Sequence, residues 1–330
     1  MMKSEFGFVA LAAAGCLAFG AWAEEAAVKQ PAPADGEKVA KAIEEEKSDD
    51  GFLSRFSYGM ELEADTAYVY HGAVLNDRPI ASAYPWFDFD LVPDEWSIGA
   101  TLWVLNDLTN RRRREGLRGE WNERDWELHT DYTIWQNDTE NEDDQCKLTV
   151  QAGYYWEDYT VHGSWYNDDG SVDYRKRKDF PSVHYSFAKF KFENPYLTPF
   201  VNGYYEFVHL HSLIVEAGVE KSFGFDELTG KESLKDFSLD LSFTLDGGHK
   251  RFINNCYMTE DAKTGLAAAE ARAGITWQAR EYLSFNLFVA YTGLLNSRIL
   301  DDHREQGSDL ADWYDHDQFV YGGFMAAFEF

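Results

Sequence analysis

The chain has 330 residues and a formal net charge of -28, and 24 Phe, 19 Tyr and 11 Trp stand beside 58 acidic residues. A chain this acidic argues against nucleic acid as a partner, because phosphate binding needs basic surface. Hydrophobic content is 45% although mean hydropathy is -0.47, a mixture that arises when apolar and polar side chains alternate rather than gather in blocks.

Lys3 precedes an apolar run from Phe6 to Ala21, which leads to Ala21-Trp22-Ala23 and the acidic pair Glu24-Glu25. This is the layout of a cleaved secretory signal over residues 1–23. A lipoprotein reading through Ala13-Ala14-Gly15-Cys16 is weaker, since the usual Leu is missing and the apolar run continues past Cys16. Residues 24–51 hold no aromatic side chain and include Pro31-Ala32-Pro33, the composition of a partly disordered periplasmic tether.

No later stretch approaches the roughly 18 to 20 apolar residues of a membrane-spanning helix. An integral membrane role must therefore use strands, and a closed barrel is the strand structure that pairs all its backbone groups in lipid. Residues 52–330 carry the matching pattern of alternating segments of about 10 residues. The predicted spans are 57–74, 80–91, 95–106, 124–136, 146–159, 182–193, 197–208, 212–223, 236–246, 267–279, 281–294 and 318–330. The expected fold is all-β, an antiparallel transmembrane β-barrel of about 12 strands, with 10 and 14 as the outer bounds.

Connection lengths check this count, because outer-membrane barrels have short periplasmic turns and longer outer loops. Val92-Pro93-Asp94-Glu95, Glu193-Asn194-Pro195-Tyr196 and Ala279-Arg280 are short and fall on the predicted periplasmic side. The connections 107–123, 160–181, 247–266 and 295–317 are long and fall outside. Three do not fit: 137–145 and 224–235 are long for periplasmic turns, and 208–211 is short for an outer loop. Trp96, Trp126, Trp156 and Tyr196 stand near strand ends, as interfacial aromatics do. A soluble sandwich would alternate too, but would not combine these features.

The last residues, Phe324-Met325-Ala326-Ala327-Phe328-Glu329-Phe330, resemble the C-terminal signature by which the barrel-assembly machinery recognises unfolded outer-membrane barrels, with Phe328 and Phe330 as its aromatics. Thr66-Ala67-Tyr68-Val69-Tyr70-His71-Gly72, followed by Asp77-Arg78-Pro79, resembles the opening of the TorF-like porins, with His71 where that pattern has arginine. The barrel-wide resemblance covers residues 52–330 and the narrower one about 66–103. It implies a Gram-negative outer-membrane protein whose surroundings are outer-membrane lipid and lipopolysaccharide.

If the apolar face of each strand meets lipid, the other face lines the lumen. The lumen candidates are Glu61, Glu63, Asp65, Asp88, Asp90, Glu127, His129, Asp131, Glu157, Lys189, Lys191, Glu206, Glu216, Asp240, Glu270 and Arg272. Such an acidic lumen reads as a porin or small-solute channel favouring cations. The same residues can instead form a hydrogen-bonded network that closes a narrow barrel, giving a structural or adhesive protein.

The basic runs Arg111-Arg112-Arg113-Arg114 with Arg118, and Arg175-Lys176-Arg177-Lys178, fall in outer loops, where they can pair with loop acids such as Asp301, Asp302 and Asp309 or contact lipopolysaccharide phosphates. Asn167-Asp168-Asp169-Gly170-Ser171-Val172-Asp173 has the oxygen ligands of a calcium loop without its distal Glu, so it reads as an acidic turn. The groups His209-Leu210-His211-Ser212, Asp315-His316-Asp317 and His303 leave an outer-membrane hydrolase as the least supported reading, and no catalytic, metal or cofactor set is assigned. Cys146 and Cys256 fall at opposite ends of the barrel, too far apart for a disulfide.

Overall fold

The computed structural model describes residues 52–108, 122–137, 139, 145–159, 162–166, 172–179, 182–257, 259, 262–305 and 317–330. The signal segment, the tether, both arginine-rich positions of the 107–123 connection, and residues 306–316 lie outside them.

The strands are β1 (Phe56–Asp65), β2 (Tyr68–Tyr70), β3 (Ala73–Asn76), β4 (Ile80–Val92), β5 (Trp96–Asp107), β6 (Asn122–Gln136), β7 (Lys147–Tyr159), β8 (His162–Tyr166) and β9 (Val172–Asp179). They continue as β10 (Val183–Glu193), β11 (Thr198–Glu206), β12 (Ser212–Gly224), β13 (Phe237–Gly248), β14 (Gly265–Arg280), β15 (Leu283–Leu294) and β16 (Gln318–Glu329). Twelve of them close an antiparallel barrel in the order β1-β16-β15-β14-β13-β12-β11-β10-β7-β6-β5-β4, while β2-β3 and β8-β9 form separate hairpins.

The alternation in the sequence becomes two faces. Outside, Ile98, Leu128, Val201, Val219, Phe243, Ile275, Leu287 and Phe324 are all exposed. Exposed aromatics border that apolar band at both ends. Tyr58, Trp96, Tyr132, Trp135, Trp277 and Tyr282 stand at one end, and Trp126, Trp156, Tyr205 and Tyr291 at the other. Side chains that stay this exposed in a folded chain need a non-aqueous neighbour, and a band flanked by aromatic girdles is the pattern of a barrel in lipid. Among the described residues no helix is long and apolar enough to cross a membrane.

One predicted span is wrong in extent. The first strand, expected over 57–74, ends at Asp65, and residues 68–76 turn back as the β2-β3 hairpin. His71 and Gly72 make the turn, with φ of 49° and 80°. The hairpin crosses the barrel interior. His71 meets Asp246 on β13, Tyr70 meets Glu157 on β7, and the Gly72 carbonyl accepts from Thr292 on β15.

Two helices cover the same end, Lys250–Cys256 and Ser297–Glu305. Ala73, Phe252, Ile253, Tyr257 and Ile299 pack there against Ile214, Ala268 and Leu294 of the wall, so the apolar core sits inside the long-connection end. The odd connections have local causes. The 207–211 turn is short because the Glu206 carboxylate accepts the backbone N–H groups of Val208, His209, Leu210 and His211, drawing them into one loop. The 225–236 turn is long because it folds as a short helix, Phe225–Thr229, followed by a single 3-10 turn.

The seam lies between β1 and β16, in a register that sets Met60 opposite Phe328 and Leu62 opposite Ala326. Phe330 extends it: its N–H donates to the Tyr58 carbonyl at 2.9 Å and its carbonyl accepts from the Tyr58 N–H at 3.1 Å. Its ring stacks on Tyr58 and Tyr282 with centroids 5.5 and 5.8 Å apart. Phe330→Ala keeps those main-chain bonds and removes both stacks, so guanidinium unfolding of the refolded barrel in vesicles is expected to show a loss of about 1–2 kcal/mol.

Candidate functional site

Among the described residues two cavities open on the polar face. One, of about 800 Å³, lies toward the short-turn end between Ser57, Trp86, Asp90, Ser97, His129 and Lys189. The other, of about 470 Å³, lies deeper under the hairpin between His71, Asn202, Tyr204, Glu216, Asp246 and Tyr321. Both are walled by Val69, Tyr70, Glu127 and Tyr155, so the hairpin and β6-β7 form the partition between them.

In the larger cavity His129 Nε2 is 2.8 Å from Asp88 Oδ1 and 3.5 Å from Asp131 Oδ2, and its Nδ1 is 3.3 Å from Glu127 Oε1. Lys189 pairs with Glu127 at 2.9 Å, and Gln151 donates to Asp131 at 3.0 Å. Asp90 lines the same space. The smaller cavity is bounded by Glu216 and Glu270. Asn202 and Tyr204 donate to Glu216 at 3.0 and 3.3 Å, and Tyr321 donates to Glu270 at 2.7 Å.

The other lumen candidates are placed outside both cavities. Arg272 lies 3.9 Å from Glu63 and over the Phe288 ring, 3.4 Å from its centroid. Glu61 and Asp65 flank Glu63 on β1. Lys191 pairs with Glu220 at 2.7 Å. Asp240 accepts from Ser222, Ser238 and Thr276, and Glu206 is the turn acceptor described above. Glu157 forms a buried group with Glu123 and Asp125, held by the hydroxyls of Tyr70, Tyr155 and Tyr185.

The residue that sequence reasoning missed is His71. Its Nδ1 lies 3.0 Å from Asp246 and 3.1 Å from Glu216, and Tyr257 donates to its carbonyl. Burial disfavours the charged imidazole, but the Asp246 and Glu216 carboxylates more than offset that and raise it to about 10. The hairpin is therefore latched by a cation between two carboxylates. Gly72 lets it seat, since a Cβ there would overlap Ala268. The signal for this turn was the His71-Gly72 dipeptide, hidden because Tyr68 and Tyr70 continue the alternation.

The candidate hydrolytic group does not assemble at its described residues. Ser212 Oγ accepts from the Phe252 N–H at 3.0 Å, and the His209 ring meets the Ser182 carbonyl at 3.1 Å. Asp315 and His316 fall outside the described residues, as do the side chain of His303, the acidic turn at 167–171 and the side chains of Arg175-Lys176-Arg177-Lys178. Neither Cys146 nor Cys256 is in a disulfide.

No family model and no curated protein matches the sequence. Among solved structures the chain is similar to the KdgM porin, at 7% identity and TM-score 0.39 over 83% of this chain and 99% of that one. It is also similar to outer membrane phospholipase A from Escherichia coli, at 11% identity and TM-score 0.38 over 82% and 92% of the two chains. A third is OprB from Pseudomonas putida, at 10% identity and TM-score 0.36 over 84% and 95%. At such values the likeness assigns no activity.

The latch gives a signed expectation. The free value of His71 is 6.5, so its stabilising contribution is complete below about pH 6.5 and is lost as pH rises through about 10. His71→Gln leaves Asp246 and Glu216 buried without their cation, a cost of about 3 kcal/mol. At neutral pH a maleimide should then label Cys256, which packs beneath the hairpin, much faster than in the unsubstituted chain. His71→Arg should keep the slow rate, and the stability gap between the unsubstituted chain and His71→Gln should close above pH 10.

Proposed function

We propose that this protein is a Gram-negative outer-membrane barrel that passes small cationic solutes and is narrowed by its own β2-β3 hairpin. The observation that carries the reading is the pair of carboxylate-bearing cavities that share the wall Val69, Tyr70, Glu127 and Tyr155. A path along the barrel axis has to cross that wall and then pass the apolar core at the long-connection end.

Charge sets the expected preference. The cavities are lined by Asp88, Asp90, Glu127, Asp131, Glu216 and Glu270, against Lys189 as their one lysine among the described residues. Carboxylates on a confined water path favour cations over anions. The exterior band supports a lipid setting, and placing the short turns in the periplasm puts the hairpin and both helices at the outer mouth. The resemblance of residues 66–103 to the TorF-like porins fits this reading, as does export by a cleaved signal.

A second reading, a closed structural barrel, is favoured by the apolar core between the hairpin, the helices and the wall. Planar-bilayer recording separates the two. The channel reading expects stepwise conductance with a cation-favouring reversal potential, and larger steps when residues 66–79 are replaced by a short Gly-Ser turn. Silence from both proteins, beside a conducting control porin, would leave the closed barrel.

A further inference from the structure

We propose that Asp88, His129 and Asp131 form a binding site for one divalent first-row transition metal ion of the Zn²⁺ kind, open to the cavity at the short-turn end. The site goes beyond the channel reading, since binding in micelles does not depend on conduction.

Spacing is the first argument. Asp88, His129 and Asp131 each offer one ligand atom, and the three atoms lie within 4.8 Å of one another. With Zn–N and Zn–O bonds of about 2.0–2.2 Å, a tetrahedral site has donor atoms about 3.3 Å apart. The observed separations from Nε2, 2.8 and 3.5 Å, bracket that edge.

The surroundings supply the second argument. The His129 side chain is only 6% exposed, and its Nδ1 is buried with no hydrogen bond closed upon it. The nearest acceptor is Glu127 Oε1 at 3.3 Å, itself anchored by Lys189. With Glu127 Oε1 beside Nδ1 and Asp88 and Asp131 beside Nε2, an imidazole carrying its proton on Nδ1 would present the Nε2 lone pair to the two aspartates, as in a carboxylate-histidine-metal arrangement. Gln151 holds the other oxygen of Asp131 and leaves Oδ2 to the site.

Room and charge agree. Gly99 faces the ligands across the ladder, and a Cβ there would overlap Asp88 Oδ1 and crowd His129 Nε2. Asp88 and Asp131 remain 27% and 37% exposed, so the fourth position faces the cavity and can take water or a passing ligand. Asp88, Asp90, Asp125, Glu127 and Asp131 line this space against Lys189 and His129, leaving an excess of negative charge even with the imidazole protonated. An imidazole donor selects Zn²⁺, Cu²⁺ or Ni²⁺ over Mg²⁺ and Ca²⁺, which prefer all-oxygen sets.

The test uses the full chain refolded in detergent, with heat-modifiable gel migration as the check that each variant is folded. Titration calorimetry with Zn²⁺ should give one saturable ion per barrel, not displaced by a roughly hundredfold excess of Mg²⁺ or Ca²⁺. Asp88→Asn and Asp131→Asn should weaken it at least about tenfold, and Glu127→Gln, which removes the orienting carboxylate, by roughly 10- to 100-fold. Bound Cu²⁺ should show nitrogen hyperfine structure in its electron paramagnetic resonance spectrum, and that structure should vanish in His129→Gln. Three results would each overturn the proposal: no Zn²⁺ bound by the folded barrel at millimolar ion, equal affinity in folded His129→Gln, or displacement of Zn²⁺ by Ca²⁺. The first would mean that His129 is only an ion-pair partner.

Discussion

The seam between β1 and β16 is the constraint on which the rest of this molecule depends. Each strand of a barrel needs two neighbours, so a chain that fails to join its first and last strands leaves two edges unpaired, which lipid does not tolerate. The register of that seam also assigns faces. With Met60 opposite Phe328 and Leu62 opposite Ala326, Glu61, Glu63 and Asp65 point inward. A slip of one residue would turn those acids to the outside and the apolar side chains to the lumen.

Once the faces are assigned, the interior has to accommodate more carboxylates than it has cations. The protein meets this in three ways. Lysine, arginine and histidine are set singly against acids, as in Lys189 on Glu127 and Arg272 near Glu63. Hydroxyl and amide donors surround the others, as around Asp240 and Glu216. The β2-β3 hairpin brings His71 across the lumen to Asp246 and Glu216, a cation supplied from another part of the chain. The hairpin also fills space: its apolar side chains join those of the two helices in the core at the long-connection end. One segment therefore neutralises charge, excludes water at one end and divides the remaining volume in two.

The hairpin that divides the interior is held in two ways, electrostatically at His71 and sterically at Gly72. The short-turn cavity has a different character, with a histidine and carboxylates converging across β4 and β6.

The architecture was legible in the sequence because barrel strands obey a period of two imposed by lipid on one side and water on the other. Eleven of the twelve predicted spans match barrel strands to within about two residues at their ends. The first span failed for the same reason the others succeeded: Tyr68 and Tyr70 keep the rhythm of β1, so periodicity alone could not register that the chain leaves the wall after Asp65. Which acids share a cavity, which cap a turn and which meet His71 was decided by tertiary structure. Those pairings join residues as far apart as His71 and Asp246, or Asp88 and His129, and alternation within a strand carries no record of which other strand stands across the lumen.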